Sequence, residues 1–169
     1  METIQNKVAE SGIEVVNLED FLPAAPIVEI DLAQFLAGGF VLREKEFRKA
    51  VSEIDWSQYE GTHVGILCSS DAIVPTWAFM LLGTRLSGVA LSSTSADTGS
   101  IRASLMNRAI QDFDWLVYDD KIVVLKGCGS GEVPASAYVQ ATNRLQEVAR
   151  KIMYGEPCSS VPIWRRPKK

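Results

Sequence analysis

The sequence predicts a single α/β domain in which helices flank a mixed or mostly parallel sheet. From residue 55 onward, short β-rich runs alternate with amphipathic helical segments, which is the pattern of a sheet with crossover helices. Two stretches, about 55–86 and 114–145, also repeat one order of strand, loop and helix. At 169 residues the chain is long enough to bury a core without disulfides.

Residues 1–54 are expected to form an N-terminal α+β part that packs on this sheet. Residues 13–16 and 27–32 are short β-rich runs, and the second alternates apolar with acidic residues, as a half-exposed strand does. A glycine pair at 38–39 interrupts the chain. Residues 44–54 then place Phe47, Val51 and Ile54 on one face of a helix.

The remaining elements follow from the same periodicities. Pro75 suits the first turn of a helix, where its missing N–H is not needed, and Gly155 suits the end of another. Strands are predicted near 63–68, 89–92, 121–127 and 161–164, and helices over 75–86, around 101–110 and over 134–153.

An internal similarity relates the two strand–loop–helix stretches. Asp55-Trp56 matches Asp114-Trp115, and Pro75 matches Pro134, so the offset is 134 − 75 = 59 residues. Cys68 and Cys128 are one residue out of step with this offset. The match has two explanations, a duplication or two units that share one geometry through chance or local physics.

Charge and hydropathy favour a cytoplasmic protein without a nucleic-acid or membrane partner. The formal net charge is −4, so there is no general attraction to anionic polymers or surfaces. The basic tail at 165–169 is typical of a solubilising end. The first six residues lack the features of a signal peptide, and the longest apolar stretch, 72–82, is too short to span a bilayer.

Three cysteines, Cys68, Cys128 and Cys158, each lie a few residues before a Val-Pro pair. Cytoplasmic thiols are kept reduced, so an odd set of three is free, metal-bound or redox-active. Ligands of α/β proteins bind beyond the carboxyl ends of strands, where Cys68 and Cys128 are expected. If the chain after the last helix doubles back, Cys158 joins them. Three thiolates and a fourth ligand would suit zinc or a labile iron–sulfur cluster.

Asp71, three residues after Cys68, is the preferred fourth ligand in this hypothesis, ahead of Glu156 and His63. A capping carboxylate is an equally common use of such an aspartate. The separations of 60 and 30 residues lack the short Cys-x-x-Cys spacing of zinc sites, and free cysteine also packs as a small hydrophobe. The convergence of the three thiols therefore depends on the fold.

Two other classes of function stay open. One is a thiol relay, in which a cysteine carries a persulfide or forms a transient disulfide. The other is an interaction module whose cysteines are structural. The glycine-rich loop around Cys128 lacks the ending of a P-loop, and no serine has a histidine within its motif, which counts against hydrolase chemistry. Whether the protein is an enzyme is left undecided.

Several segments resemble an uncharacterised family of Bacteroidetes proteins catalogued as a domain of unknown function. They are residues 42–48, 55–59, 68–78, 126–128 and 154–162, including Cys68-Ser69-Ser70-Asp71 and Gly155-Glu156-Pro157-Cys158. The resemblance covers most of the chain. It implies an association with iron–sulfur cluster assembly of the sulfur-mobilisation type, with assembly proteins as partners. The chain lacks the cysteine spacing of the known assembly scaffolds, so kinship with those scaffolds is not implied.

Overall fold

The computed structural model describes residues 12–127, 129 and 131–167. Within these residues the chain forms an α/β fold with four α helices and nine strands in mixed, mostly parallel sheets. The strands are β1 Ile13–Asn17, β2 Ile27–Asp31, β3 Leu36–Ala37, β4 Val41–Leu42, β5 His63–Leu67, β6 Ser92–Thr94, β7 Ile122–Lys126, β8 Lys151–Tyr154 and β9 Val161–Arg165. The helices are α1 Glu44–Glu53, α2 Thr76–Leu86, α3 Thr98–Asp112 and α4 Ala135–Val148. The predicted fold class is confirmed.

The chain divides into two compact units. Unit 1 comprises residues 1–22 and 103–169, and unit 2 comprises residues 23–102. The N-terminal part contributes a strand to each: β1 pairs with β7 in unit 1, and β2 pairs with β5 in unit 2. The expectation of one domain, with residues 1–54 packed on its sheet, stays a prediction.

Unit 2 is built on a parallel sheet in the order β2-β5-β6. The apolar faces of α1 and α2 pack with the sheet in one buried cluster, because each helix carries its apolar residues at helical spacing. The fully buried members of this cluster include Phe47 of α1, Val64 of β5 and Leu82 of α2. The short antiparallel pair of β3 and β4 closes through the glycine turn at 38–39.

Unit 1 is built on a sheet in the order β1-β7-β8-β9. Its first three strands are parallel, and β9 runs antiparallel to β8. Its core combines Val123 of β7 and Ile152 of β8 with Ile110 of α3 and Leu145 of α4, and Trp164 of β9 packs against them. The central strand is buried on both faces, as its continuous apolar run predicts.

The two units repeat one topology and one register. Ile27 pairs with His63, which pairs with Ser92, and Ile13 pairs with Ile122, which pairs with Lys151. The offset is 122 − 63 = 59 residues for β5 and β7, and 151 − 92 = 59 for β6 and β8. The 3₁₀ helices that precede β5 and β7 are capped in the same way by Asp55 and Asp114. The predicted strand–loop–helix units at 55–86 and 114–145 are confirmed.

The predicted helix over 134–153 is wrong in its last turn. Helix α4 ends at Val148, the backbone of Ala149 is extended, and residues 151–154 form strand β8. Ile152 continues the helical spacing from Leu145, which made the helix look longer. In the structure Ile152 is buried in the sheet, where it lies between β7 and β9. Strand β6 also begins at Ser92, later than the predicted 89–92.

Candidate thiol site at the end of strand β5

Cys68 is the residue that directly follows β5, the central strand of unit 2. Its side chain is partly exposed, and its Sγ lies 3.2 Å from Oγ of Ser70. This is the carboxyl end of a parallel sheet, where α/β folds place their ligands. The position predicted for Cys68 is thus confirmed by the strand bounds.

A cleft of about 290 Å³ opens beside this thiol. Its lining combines the end of β5 with the loop before α2, the first turns of α2 and the segment after β6. The residues involved include Cys68, Ser70, Val74, Phe79, Ser95 and Ala96. The lining has thiol and hydroxyl groups but no formal charge, so the cleft suits a small neutral or soft group better than a strongly anionic one.

Asp31 fixes the loop that carries Ser69 and Ser70. Its Oδ1 accepts hydrogen bonds from the backbone N–H of Ala33 at 2.9 Å and of Ser69 at 3.0 Å, and its Oδ2 accepts from Oγ of Ser69 at 2.5 Å. The hydrogen bond from the Ser69 hydroxyl is the main reason that the pKa of Asp31 is below its ordinary value. Sequence reasoning missed this contact, because it depends on the pairing of β2 with β5. The acidic end of the alternating run at 27–32 was the available signal.

Gly65 allows the far wall of the cleft to approach β5. A Cβ at this position would overlap the carbonyl oxygen of Ala96 and would lie 3.0 Å from Cδ1 of Ile101. A glycine is therefore required for the backbone after β6 to pass this close to the strand. Ala96 lines the cleft as a consequence.

The other predicted ligands are not brought to Cys68 by the residues that the structure describes. Asp71 is exposed and does not line the cleft, Cys158 is exposed in the loop between β8 and β9, and Cys128 lies outside the described residues. Glu156 pairs with Lys126 at 3.5 Å. In the described ranges no three His, Cys, Asp or Glu side chains form a group that could hold a metal ion.

His63 lies at the amino end of β5, at the other end of the strand from Cys68. Five residue steps in a strand separate the two by roughly 16 Å, too far for both to bind one ion. Its Nδ1 lies 2.8 Å from Oγ of Ser92 instead.

Unit 1 shows what differs at the equivalent strand end. In the shared register the counterpart of Cys68 is Gly127, and the counterpart of Phe79 is Tyr138. A Cβ on Gly127 would lie 2.7 Å from the Tyr138 Oη, so the tyrosine hydroxyl approaches the space that a side chain would need. Unit 2 has the reverse combination, a thiol and a phenylalanine without a hydroxyl.

The described part of the chain has no helix with the length and apolarity to cross a bilayer. Comparison with curated proteins and with solved structures finds no match. Residues 2–166 match a family described as "Protein of unknown function (DUF2480)", which covers nearly the whole chain. The chain therefore belongs to the DUF2480 family.

Proposed function

We propose that this protein is a cytoplasmic accessory factor that holds a thiophilic metal ion or an iron–sulfur cluster through its cysteines. The observation that carries the proposal is the partly exposed thiol of Cys68, which lines a cleft at the carboxyl end of β5. Thiolates are the ligands that zinc and iron–sulfur clusters prefer, and the cleft leaves room for an incoming group.

The proposed ligands are Cys68, Cys128 and Cys158, with Asp71 as the fourth. Zinc in a closed site takes four ligands, so one thiol from the described part of unit 2 does not complete a site. Cys158 belongs to unit 1, and the described residues contain no preformed group of three ligands. The remaining ligands would come from Cys128, from an arrangement of the two units, or from an iron–sulfur assembly protein as partner.

Elemental analysis of the full chain tests this proposal. The protein is purified under reducing, anaerobic conditions without chelator, and zinc, iron and acid-labile sulfide are measured per chain. We expect stoichiometric metal that is lost in Cys68→Ser, Cys128→Ser and Cys158→Ser and reduced in Asp71→Asn. Glu60→Gln, which changes an exposed carboxylate in the same unit, is the matched control. Absence of metal, or metal that persists in all three cysteine variants, contradicts the proposal.

A thiol relay is the second candidate, and one observation favours it. Cys68 lines the cleft as a single thiol, with a serine hydroxyl 3.2 Å away and without a ligand group beside it in the described residues. Such a thiolate can attack the outer sulfur of a donor persulfide, R–S–SH. Cys68 then carries the persulfide, Cys–S–SH, and the donor leaves as the thiolate R–S⁻.

Persulfide transfer to Cys68 separates the two candidates. The metal-free protein is incubated with a low-molecular-weight persulfide, and the sulfur bound at each cysteine is located by mass spectrometry. The relay predicts a mass gain of one sulfur atom at Cys68 that Cys68→Ser removes. A protein with neither metal nor a selectively reactive thiol would be an interaction module with structural cysteines.

A further inference from the structure

Strand β6 forms an exposed edge of the sheet in unit 2. In the described part of the chain it pairs on one side with β5 and has no strand on the other. Residues 91–95, Leu-Ser-Ser-Thr-Ser, are all exposed and carry no charge. Natural edges are commonly protected by lysine, proline or an inward-pointing charge, and this stretch has none of them.

The equivalent edge in unit 1 is covered by a strand. Ser93 has the same register position as Ile152 of β8, and Ile152 pairs with Trp164 of the antiparallel strand β9. Ile152 is fully buried, whereas Ser93 is exposed. The repeat thus shows that this sheet position accepts an antiparallel strand, and unit 2 supplies none from its described residues.

The shared register also gives the direction of the backbone groups of β6. In unit 1 the N–H groups of Lys151 and Gly155 donate to carbonyl oxygens on the β7 side, Lys121 and Leu125. Because N–H groups alternate sides along a strand, the N–H of Ile152 points toward β9. The N–H of its counterpart, Ser93, therefore points to the free edge.

Helix α2 offers an apolar surface in the same unit. The segment 77–82 is apolar all round the helix, and such a helix is normally buried on every side. In the structure only Ala78, Leu82 and Leu86 of α2 are fully buried, and Met80 is 66% exposed. A side chain on Gly83 would meet open space. Helix α2 contacts β6, so this surface adjoins the edge.

We propose that unit 2 binds a second copy of this chain through β6 and α2. The two β6 strands pair antiparallel around a twofold axis, with Ser93 opposite Ser93 of the other copy, and the parallel sheets join into one of six strands. A twofold axis perpendicular to the sheet keeps both α2 helices on one face, so their Met80 side chains approach each other.

A second copy is favoured because this edge is complementary to itself. A twofold contact places each residue type against the same stretch of the other chain. Serine and threonine pairs satisfy this without repulsion, whereas a charged edge would place like charges opposite each other. A three-residue strand alone is smaller than a stable interface, which buries roughly 1,200 Å² or more, so the α2 surface is needed as well.

Sedimentation velocity and light scattering on the full chain test the proposal. We expect a dimer of 2 × 18.6 = 37.2 kDa at micromolar concentration. Met80→Glu places two carboxylates together across the axis, and Ser93→Lys places two ammonium groups there, so each should yield a monomer. Val139→Glu is the matched control, because Val139 is the counterpart of Met80 in unit 1 and is 61% exposed. It should remain dimeric.

Circular dichroism and urea unfolding establish that each variant is folded, as expected for substitutions at exposed positions. Hydrogen exchange gives a second readout on the unmodified chain: the amide of Ser93 should be protected, and dilution to the monomer should remove that protection. A wild-type chain that is monomeric up to submillimolar concentration overturns the proposal. So does a dimer that neither Met80→Glu nor Ser93→Lys weakens.

Discussion

The indole Nε1 of Trp115 donates a hydrogen bond of 2.7 Å to the backbone oxygen of Ile110, near the end of α3. In the other repeat Trp56 makes the corresponding bond of 3.1 Å to the backbone oxygen of Val51 in α1. In both units the tryptophan thus satisfies a carbonyl that the helix end leaves without a partner. The two bonds differ in burial, since Trp115 is 6% exposed and Trp56 is partly exposed.

Trp115→Phe should therefore cost more stability than Trp56→Phe. The first change leaves a buried carbonyl unsatisfied and opens space beside Phe21 and Phe113, whose rings contact Trp115. We expect a loss of about 3 kcal/mol for Trp115→Phe and about 1 kcal/mol for Trp56→Phe. Urea unfolding followed by circular dichroism measures both. Equal losses would show that burial does not set the difference.

Gly65→Ala should destabilise unit 2. The added methyl group would overlap the backbone oxygen of Ala96, which cannot yield as a flexible side chain can. We expect a loss of about 2 kcal/mol in the free energy of unfolding. Gly99→Ala is the matched control, because a Cβ there meets only Oδ1 of Asp97 at 3.4 Å and lies in the first turn of a helix. It should be neutral or gain up to about 1 kcal/mol.

The lowered pKa of Asp31 predicts a pH dependence with a definite sign. The folded-state pKa is below 3.8, so the stabilisation is fully present above that value and is lost as the pH falls through the folded-state pKa. Ser69→Ala removes the largest cause, the hydroxyl donor, and should raise the pKa of Asp31 toward 3.8. Carbon-detected NMR titration of the carboxyl groups measures this.

Asp55 is the internal reference for that titration. Its pKa is lowered in the same way by the hydroxyl of Ser57, in the same unit. It should not change in Ser69→Ala, and Ser57→Ala should show the reverse pattern. If the Asp31 titration is the same with and without Ser69, the assigned cause is wrong.

Phe79→Tyr should slow the reaction of Cys68 with a maleimide several-fold. In unit 1 the hydroxyl of Tyr138, the counterpart of Phe79, lies 2.7 Å from where a side chain on Gly127 would begin. The same hydroxyl in unit 2 would extend into the cleft beside Cys68. Labelling rates by mass spectrometry test this, with the exposed Cys158 as the reference within each sample. An unchanged Cys68 rate would contradict the equivalence of the two strand ends.

The sequence predicted the repeat because its strongest signals are local. Pro75 and Pro134 precede the two helices, Asp55 and Asp114 cap the 3₁₀ helices, and the β-rich runs are continuous. Strand β8 was missed because Ile152 fits a helical stripe as well as a buried strand. The repeat itself would have corrected this, since 92 + 59 = 151, the first residue of β8.

The candidate site was predictable only in part. That Cys68 follows a strand could be inferred from the apolar run before it. The Asp31–Ser69 contact could not, because it joins residues 38 apart in the chain through the register of β2 against β5. The proposed convergence of Cys68 with Cys128 and Cys158 depends on still longer-range geometry, and it stays a prediction.

The order of the repeats along the chain has a consequence for synthesis on the ribosome. In unit 2, β2 meets β5 after 63 − 27 = 36 residues, and the unit is one contiguous stretch. In unit 1, β1 must wait for β7, 122 − 13 = 109 residues later. Closing the longer loop costs more chain entropy and needs the later part of the chain to emerge. Unit 2 is therefore expected to fold first during translation, while β1 is still without its partner strand.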